Sequence, residues 1–302
     1  MIEKHTIACL LVSLGLAPLT TLAAQNGAAA ARRDALRQSY GTYAGDIRKT
    51  DGHIDTTRLL ADLGMLHANT YNFLISHGAT DWDDLHTFLP LAQKNGIRVW
   101  VTLLPPSESP PRTKVFSEPF RLNYEKWAAE LAALSAREPA LVAWSVDDFA
   151  YNLKTAFTPN HMWAIIAAQR AKNPKFAFVP CVYYKQATPQ FARTYGSFLD
   201  GILFPYRSES TIAGLTDATQ VAPEVKTLKA RFGGDFPIIV DIYASRHSRF
   251  GTSTPNYVEQ VMELAHPVAD GVHIYRHQDR RKPRERAKFE VIQRVMSSWP
   301  RE

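Results

Sequence analysis

The chain has 302 residues, of which 45% are hydrophobic and 21% charged, and its formal net charge is +6. These are globular proportions, and they exclude a disordered, collagen-like or coiled-coil chain. The length suits one large domain or two small ones. Two cysteines are too few for a disulfide scaffold or a four-cysteine zinc site.

The first 24 residues have the pattern of an export signal. A weakly positive start at Lys4 leads into a mostly apolar stretch from Thr6 to Leu19, and small residues precede a cleavage point near Ala24. The apolar stretch is shorter than the roughly 20 residues that a membrane-spanning helix requires. We therefore expect export to a bacterial periplasm, or secretion, with no membrane segment and a single cysteine, Cys181, in the mature chain.

Residues 25–39 form an Ala-rich lead, which we expect to be flexible to about Arg33. After it, short β-rich runs alternate with segments of helical periodicity. The predicted strands are Tyr40–Gly45, His67–Leu74, Ile97–Leu104, Leu141–Val146, Phe176–Tyr184, Asp200–Tyr206, Phe236–Tyr243 and Gly271–Tyr275. The predicted helices are Thr56–Leu66, Asp81–Lys94, Asn123–Arg137, Pro159–Lys172, Thr188–Phe198, Asp217–Phe232, Pro255–Ala265 and Pro283–Ser298.

This alternation predicts an α/β protein with a single (β/α)8 TIM-type barrel over residues 40–302, because a barrel of this kind takes about 250 residues. A doubly wound open sheet has the same alternation, since strand order cannot be read from the pattern. No strand is followed by G-x-G-x-x-G, however, and no phosphate-binding P-loop is present. The barrel is therefore the favoured fold.

Two acids follow the fourth strand. Catalytic residues of barrels lie at the carboxyl ends of the strands. Alternation along the strand places Asp147 on the small, polar face that points into the barrel, with Asp148 at the rim. Adjacent acids often form a solvated turn or a helix cap, but these follow an apolar strand. We expect at least one of the two to be catalytic.

The seventh and eighth strands repeat a pattern in which a polar residue stands two positions before a tyrosine. Asp241 shares a face with Tyr243, and His273 shares one with Tyr275. Neighbouring strands in the same phase would place Asp241 beside His273, and a lone buried carboxylate is costly. Two interpretations stay open: a structural Asp–His pair, or a second catalytic carboxylate held by His273.

The remaining strand ends carry aromatic and polar side chains that suit sugars. Aromatic rings stack on the apolar faces of pyranose rings, while amides and hydroxyls bind the ring hydroxyls. A proline-stiffened loop after the third strand adds Glu108 as a third candidate acid. The predicted substrate-binding residues are Asn69, Tyr71, Asn72, Glu108, Tyr183, Tyr184, Tyr206, Arg207, Tyr243, Arg246, His273 and Tyr275.

Signatures of other chemistries do not occur in the sequence. It has no H-x-H, H-E-x-x-H, C-x-x-C or G-x-S-x-G, so we expect no metal, no cofactor and no serine hydrolase. The basic run from Arg280 to Lys288 has no nucleic-acid-binding motif beside it. We expect it to form an exposed basic rim, attracted to an anionic polymer or the envelope, and we expect no nucleic-acid partner.

In its architecture and in the acids on strands four and seven, the chain resembles the (β/α)8-barrel glycoside hydrolases as a broad group. The resemblance covers nearly all of the mature chain. It implies an acid/base at the end of strand four, here Asp147 or Asp148, and a nucleophile on strand seven, here Asp241. The chain departs from the commonest pattern because neither strand ends in Glu, and it lacks the D-x-x-D-x-D-x-E run of the chitinase-like barrels.

These observations predict an exported glycoside hydrolase acting on a poly- or oligosaccharide, with anionic and amino-sugar polymers among the candidate substrates. The working hypothesis is that Asp148 donates a proton and that Asp147 or Asp241 is the anionic partner. Two alternatives stay open. One is a barrel that binds carbohydrate without cleaving it; the other is a non-glycosidic hydrolase or lyase that acts on a small charged molecule through Asp241, His273 and Arg246.

Overall fold

The computed structural model describes residues 19–76 and 80–300, in which parallel strands alternate with helices. The strands of the main sheet are β1 Ser39–Tyr43, β2 Thr70–Ile75, β3 Arg98–Leu103, β4 Leu141–Val146, β5 Ala177–Phe178, β6 Ile202–Tyr206, β7 Ile238–Tyr243 and β8 Gly271–Tyr275. The helices are α1 Leu19–Asp34, α2 Thr56–Met65, α3 Asp81–Lys94, α4 Tyr124–Ser135, α5 Pro159–Lys172, α6 Pro189–Tyr195, α7 Val221–Phe232, α8 Pro255–Ala265 and α9 Pro283–Ser297. A small hairpin, Arg246–His247 paired with Gly251–Thr252, lies in the loop after β7.

The main sheet closes into a barrel. Strands β1 to β5 pair in chain order, β6 to β8 pair in chain order, and β8 pairs with β1, all in parallel. The last seam closes just beyond β5, where Cys181 bridges Leu203 of β6 and the Val182 amide donates to the Leu203 carbonyl at 2.9 Å. This closed order confirms the predicted (β/α)8 barrel and excludes the doubly wound sheet.

Side chains alternate between the two faces of each strand, and the core is therefore divided into two clusters. The inner cluster fills the barrel and includes Trp100, Ala143 and Ile239. The larger outer cluster lies between strands and helices and includes Trp144 and Val146. The inward phase predicted for β4 is therefore confirmed, and it directs Asp147 toward the mouth of the barrel.

The first residues of some strands and helices differ from the prediction because a local turn precedes the regular element. Strand β2 begins at Thr70 rather than His67, because His67 has a φ of 58° and belongs to the turn after α2. Helix α7 begins at Val221 rather than Asp217, because the Asp217 carboxylate accepts a hydrogen bond from the Thr219 amide at 2.8 Å in a turn. Such turns satisfy backbone groups locally and so compete with a regular element.

The prediction of a flexible lead is wrong, because residues 25–34 belong to helix α1. Arg32 holds this helix to the barrel: its guanidinium lies 2.6 Å from Asp200 Oδ1 in a buried ion pair and donates to the Pro174 carbonyl at 2.6 Å. The predicted signal segment lies outside the described residues as far as residue 18. Across residues 19–76 and 80–300, no helix has the length and apolar character needed to cross a membrane.

The basic run is not wholly the exposed rim that the sequence predicts. The Arg280 guanidinium donates to Asp62 Oδ1 at 2.9 Å, and the buried Lys288 ammonium donates to the Ala244 carbonyl at 2.7 Å. These two residues hold the start of α9 to the barrel. Arg284 and Arg286, between them, are exposed.

Candidate active site

A cavity of about 690 Å³ lies at the carboxyl ends of the strands. Its floor is built from side chains at the ends of four strands, Tyr43 of β1, Asp147 after β4, Asp241 of β7 and Tyr275 of β8. Its walls come from the loops after β3, β4 and β7. The carboxyl-terminal face is where barrel enzymes place their chemistry, so this cavity is the candidate active site.

The end of β4 places two carboxylates side by side in this cavity. Asp147 Oδ2 accepts a hydrogen bond from the Tyr43 hydroxyl at 2.9 Å, and its Oδ1 accepts one from the Asp148 amide at 2.9 Å. Asp148 has a φ of 43°, a left-handed conformation uncommon outside glycine, and it turns the chain into a short 3-10 helix. The turn leaves both aspartates lining the cavity.

The loop after β3 brings a third carboxylate to the same place. The Ser107 amide donates to Asn152 Oδ1 at 3.0 Å, and Asn152 Nδ2 donates to the Ser107 hydroxyl at 2.9 Å and to the Asp148 carbonyl at 3.0 Å. Asn152 is buried and so fixes one loop against the other. Glu108, next to Ser107, is thereby held in the cavity with Asp147 and Asp148.

The three carboxyl groups do not all ionise together near neutral pH. Burial, with repulsion from Asp147 and Asp148, raises the pKa of Glu108 to about 8. Burial and the neighbouring Asp148 raise the pKa of Asp147 to about 6, while the hydrogen bond from Tyr43 opposes the shift. At pH 7 the site therefore contains a protonated Glu108 beside a mainly ionised Asp147.

Asp241 and His273 are register partners in β7 and β8, as predicted, but no hydrogen bond joins them. Burial, with repulsion from Asp147, raises the pKa of Asp241 well above its usual range. His273 lies in the barrel interior with its ring 4.6 Å from that of Trp100, and burial lowers its pKa to about 3. The structural Asp–His pair is therefore wrong, and so is the expectation that His273 holds Asp241, because no hydrogen bond joins the two side chains and the imidazole is neutral. A catalytic role for Asp241 stays a prediction.

Arginines and aromatic rings form the mouth of the cavity. The Arg207 guanidinium lies 3.9 Å from the centre of the Tyr183 ring and forms an ion pair with Glu209. In the hairpin after β7, the His247 ring stacks on Phe250 with centroids 4.6 Å apart. Burial and the nearby positive charges lower the pKa of His247, so its ring is neutral near pH 7.

The structure brings nine of the predicted site residues together around this cavity. They are Glu108, Asp147, Asp148, Tyr183, Arg207, Asp241, Tyr243, Arg246 and Tyr275. Their catalytic and binding roles stay predictions. Six others lie elsewhere, and for them the prediction of a place at the mouth is wrong: Asn69, Tyr71, Asn72, Tyr184, Tyr206 and His273.

Two of these corrections follow from the phase of a strand, and a third follows from depth in the barrel. Tyr71 and Tyr206 point outward to the helices, where the Tyr71 hydroxyl donates to the Asp46 carboxylate and that of Tyr206 donates to the Asp217 carbonyl at 2.7 Å. Asn72 has the inward phase but lies deeper in the barrel, where its Oδ1 accepts from the Thr102 hydroxyl at 2.7 Å. A one-residue step moves a side chain to the other face of the sheet.

Two further corrections follow from position along the chain. Asn69 precedes β2 at the opposite, amino-terminal end of the barrel, and its Oδ1 accepts from the Tyr40 amide at 2.9 Å. Tyr184 packs against the outer cluster, where the Arg231 guanidinium lies 4.9 Å from the centre of its ring. Residues that start a strand lie far from those that end it.

Several lining residues were not singled out from the sequence. Tyr43 ends β1 in the same way that Tyr275 ends β8, whereas the predicted first strand continues to Gly45. Tyr151, which is exposed and whose ring lies 5.9 Å from that of Tyr183, follows the two aspartates closely. Pro205 lies in β6, and the others come from the loops after β3 and β7: Ser107, Arg112, His247, Ser248 and Arg249.

One group of side chains has the spacing of metal ligands. Single donor atoms of Asp147, Asp148 and Cys181 lie within 4.8 Å of one another. Burial and the two aspartates raise the pKa of the Cys181 thiol, however, and a metal binds the thiolate form. Asp147 and Asp148 of this group also line the candidate cavity.

Comparison with known proteins identifies the fold and no closer family. No protein-family model matches the chain, and none of the curated protein sequences matches it. Among solved structures, it is similar to a β-D-glucuronidase from Dictyoglomus thermophilum, with 14% identity and a TM-score of 0.59 over 87% of this chain and 51% of that one. It is also similar to a glucosidase from Croceicoccus marinus (12% identity, TM-score 0.60, 87% of this chain and 68% of that one). A third similar structure is GH5_18 from Streptomyces cattleya in complex with GlcNAc (14% identity, TM-score 0.60, 87% and 82%).

The class that these structures define is the barrel fold of glycoside hydrolases, and the chain has that fold. The fold that the resemblance implied is thus confirmed. The chain spans about half the length of the Dictyoglomus thermophilum enzyme, 51%. At these identities the similarity establishes the fold, and the activity is a separate question.

Proposed function

We propose that the protein is a glycoside hydrolase that cleaves O-glycosidic bonds in a poly- or oligosaccharide by carboxyl acid/base chemistry. The observation that carries this proposal is the grouping of Glu108, Asp147 and Asp148 in one cavity, with the pKa of Glu108 raised to about 8. The fold similarity to a β-glucuronidase and a glucosidase supports it.

Glycoside cleavage requires one carboxyl group that protonates the leaving oxygen and one carboxylate that attacks the anomeric carbon or activates water. We assign proton donation to Glu108, because its carboxyl group retains its proton at neutral pH. Asp147 and Asp148 supply the anionic partner. Glu108 thus takes the role that the sequence hypothesis gave to Asp148. The solvent-facing ring of Tyr151 offers a surface on which a sugar ring stacks.

The test is reducing-end release by a chain that starts at residue 25, on a panel of neutral, amino and acidic polysaccharides. We expect Glu108→Gln, Asp147→Asn and Asp148→Asn each to lower release by roughly 10²- to 10⁴-fold, the usual contribution of an acid or base. Asp83→Asn, which removes an exposed carboxylate from α3, is the matched control and retains full activity. With an activated aryl leaving group, the loss in Glu108→Gln should shrink, because such a group departs without a proton.

Two outcomes overturn the proposal. Release that persists in folded variants of all three acids would remove their catalytic role. Binding of a polysaccharide without release from any member of the panel would favour the non-catalytic carbohydrate-binding barrel instead.

We also propose that the protein is exported, on the N-terminal sequence pattern alone. In a bacterium that expresses the full chain, N-terminal sequencing of the periplasmic protein should give a start near residue 25. Protein that is found only in the cytoplasm, with its first 24 residues retained, would exclude export.

A further inference from the structure

Three arginines at the cavity mouth are not used by the proposed hydrolysis. Arg112 lies in the loop after β3, and Arg246 and Arg249 lie in the hairpin loop after β7. All three line the cavity and are exposed. In the part of the chain that the structure describes, none of them forms a salt bridge, whereas Arg32, on the opposite end of the barrel, is paired with a carboxylate.

A fourth arginine lies deeper and is built into the wall. The Arg207 side chain is 9% exposed, and its position is fixed by the ion pair with Glu209 and by stacking on the Tyr183 ring. The Lys185 amide donates to the second oxygen of Glu209 at 2.8 Å, which fixes that carboxylate in turn. Arg207 Nε has no hydrogen-bond partner among the described residues, although the residue lines the cavity. A buried donor without an acceptor is costly, and an acceptor on a bound ligand would remove that cost.

The charges around the cavity do not balance. Glu209 neutralises Arg207, and three arginines then face the carboxyl groups of Glu108, Asp147, Asp148 and Asp241. Burial raises the pKa of three of these acids, which reduces their negative charge near neutral pH. The mouth therefore carries excess positive charge. Clefts lined by one sign of charge concentrate ligands of the opposite sign.

We propose that the sugar bound in this cavity carries a carboxylate or sulfate group, which Arg207, Arg246 and Arg249 bind at the mouth. Guanidinium groups suit this role because their planar N–H donors match both oxyanions. The inference rests on the proposed function, since it places the glycosidic bond over the acids while the anionic group lies at the arginines. An acidic sugar would thus be oriented by its charge as well as by its ring.

The experiment measures calorimetric binding of the chain from residue 25 to acidic polysaccharides and to derivatives that lack their carboxylates or sulfates. The probes are polygalacturonate, alginate and chondroitin sulfate, each also in carboxyl-reduced form, and chondroitin sulfate also in desulfated form. We expect at least one acidic polymer to bind at least tenfold more tightly than a derivative that lacks its carboxylates or its sulfates. The double variant Arg246→Gln/Arg249→Gln should remove this preference, because both side chains are exposed and their loss leaves the core intact.

Arg284→Gln is the matched control, since it removes an exposed positive charge at the start of α9, outside the cavity. It should leave the preference unchanged. The carboxyl-reduced and desulfated derivatives identify which anionic group is bound. Higher ionic strength should weaken binding in the wild type and much less in the double variant.

The results separate this inference from the proposed function. Cleavage of neutral and acidic polymers alike, or a charge preference that survives in the double variant, overturns the inference and leaves the hydrolase. A charge preference without cleavage overturns the hydrolase and supports anion recognition. Failure to bind any acidic polymer of the panel overturns the inference and leaves the hydrolase, whose own test includes neutral and amino polysaccharides.

Discussion

At the scale of single residues, the cavity acids differ because their immediate surroundings differ. Asp147 accepts hydrogen bonds from the Tyr43 hydroxyl and the Asp148 amide, and both favour its charged form. Glu108 experiences burial and the repulsion of two aspartates, opposed by Arg112. The pKa of Glu108 is accordingly the higher of the two, about 8 against about 6. Two acids with separated pKa values can serve as proton donor and anionic partner at one pH.

The raised pKa of Glu108 predicts how stability changes with pH. Between its unfolded pKa, near 4.5, and about 8, the folded protein retains a proton that the unfolded chain releases. The free energy of unfolding therefore falls as pH rises through this window. Glutamine has no such proton, so the melting temperature of Glu108→Gln minus that of the wild type should increase from pH 5 to pH 9.

Calorimetric melts of the two proteins across this range check the prediction. Glu130→Gln, which removes an exposed carboxylate from α4, controls for the loss of one negative charge. Melting temperatures of wild type and Glu108→Gln that stay parallel from pH 5 to pH 9 would contradict a raised Glu108 pKa.

At the scale of elements, the site depends on how two loops are joined. Asn152, in the 3-10 helix after β4, bonds to the Ser107 amide and hydroxyl and to the Asp148 carbonyl. The loop after β3 carries Glu108, and the loop after β4 carries Asp147 and Asp148. Asn152 is therefore a positioning residue, whose buried amide fixes the separation of the proposed donor and its anionic partner.

Asn152→Ala should leave the Ser107 amide and the Asp148 carbonyl without these partners and cost ~1–3 kcal/mol of stability. Because Glu108 would then move more freely toward solvent, its pKa should fall toward its usual range. We expect the basic limb of the pH–rate profile to move to lower pH, with kcat lowered more than KM is raised.

The matched variant is Asn95→Ala. It removes the hydrogen bond that the exposed Asn95 side-chain amide donates to the Leu91 carbonyl at the end of α3. It should leave the pH–rate profile unchanged. A basic limb that stays in place in Asn152→Ala would show that the asparagine stabilises the fold without positioning Glu108.

At the scale of the whole molecule, the barrel is also held at the end opposite the cavity. Arg32 of α1 pairs with Asp200 before β6, and Asp200 Oδ2 accepts from the Phe178 amide at 2.9 Å in β5. Leu36, just after α1, is fully buried in the inner cluster of the barrel. The amino-terminal helix therefore belongs to the barrel domain and supports the strands on either side of its last seam.

Arg32→Met should lower the free energy of unfolding by ~3–5 kcal/mol, because it leaves the buried Asp200 carboxylate without its positive partner. The comparison is Arg33→Met, whose guanidinium lies 3.7 Å from an exposed Asp235 carboxylate and should contribute at most ~1 kcal/mol. Urea titrations of the two variants and the wild type measure the difference. Equal losses in the two variants would show that Arg32 contributes no more than a surface pair.

The sequence predicted most of the barrel and only part of the site. The prediction gave the correct bounds for β4, β8, α3, α5 and α8. These bounds depend on the spacing of hydrophobic residues and on the residues that cap helices, which are local properties of the sequence. The α1 helix was missed because the Ala-rich segment has few large apolar side chains, and Arg32 finds its partner 168 residues away. For the site, the expectation that functional residues lie at the carboxyl ends of the strands located Asp147 and Asp241. The same expectation placed Tyr71 and Tyr206 on the wrong face of the sheet.

By itself, the sequence determined that strands and helices alternate, that Asp147 faces inward, and that acids follow the fourth strand. These properties depend on residues within a few positions of one another, which a local pattern can specify. Only the tertiary structure decided that Glu108 lies with Asp147, that His273 is neutral and unpaired with Asp241, and that Arg249 lies at the same mouth as Arg112. Those outcomes depend on contacts between segments far apart in the chain, and burial at such contacts sets the charge of each group.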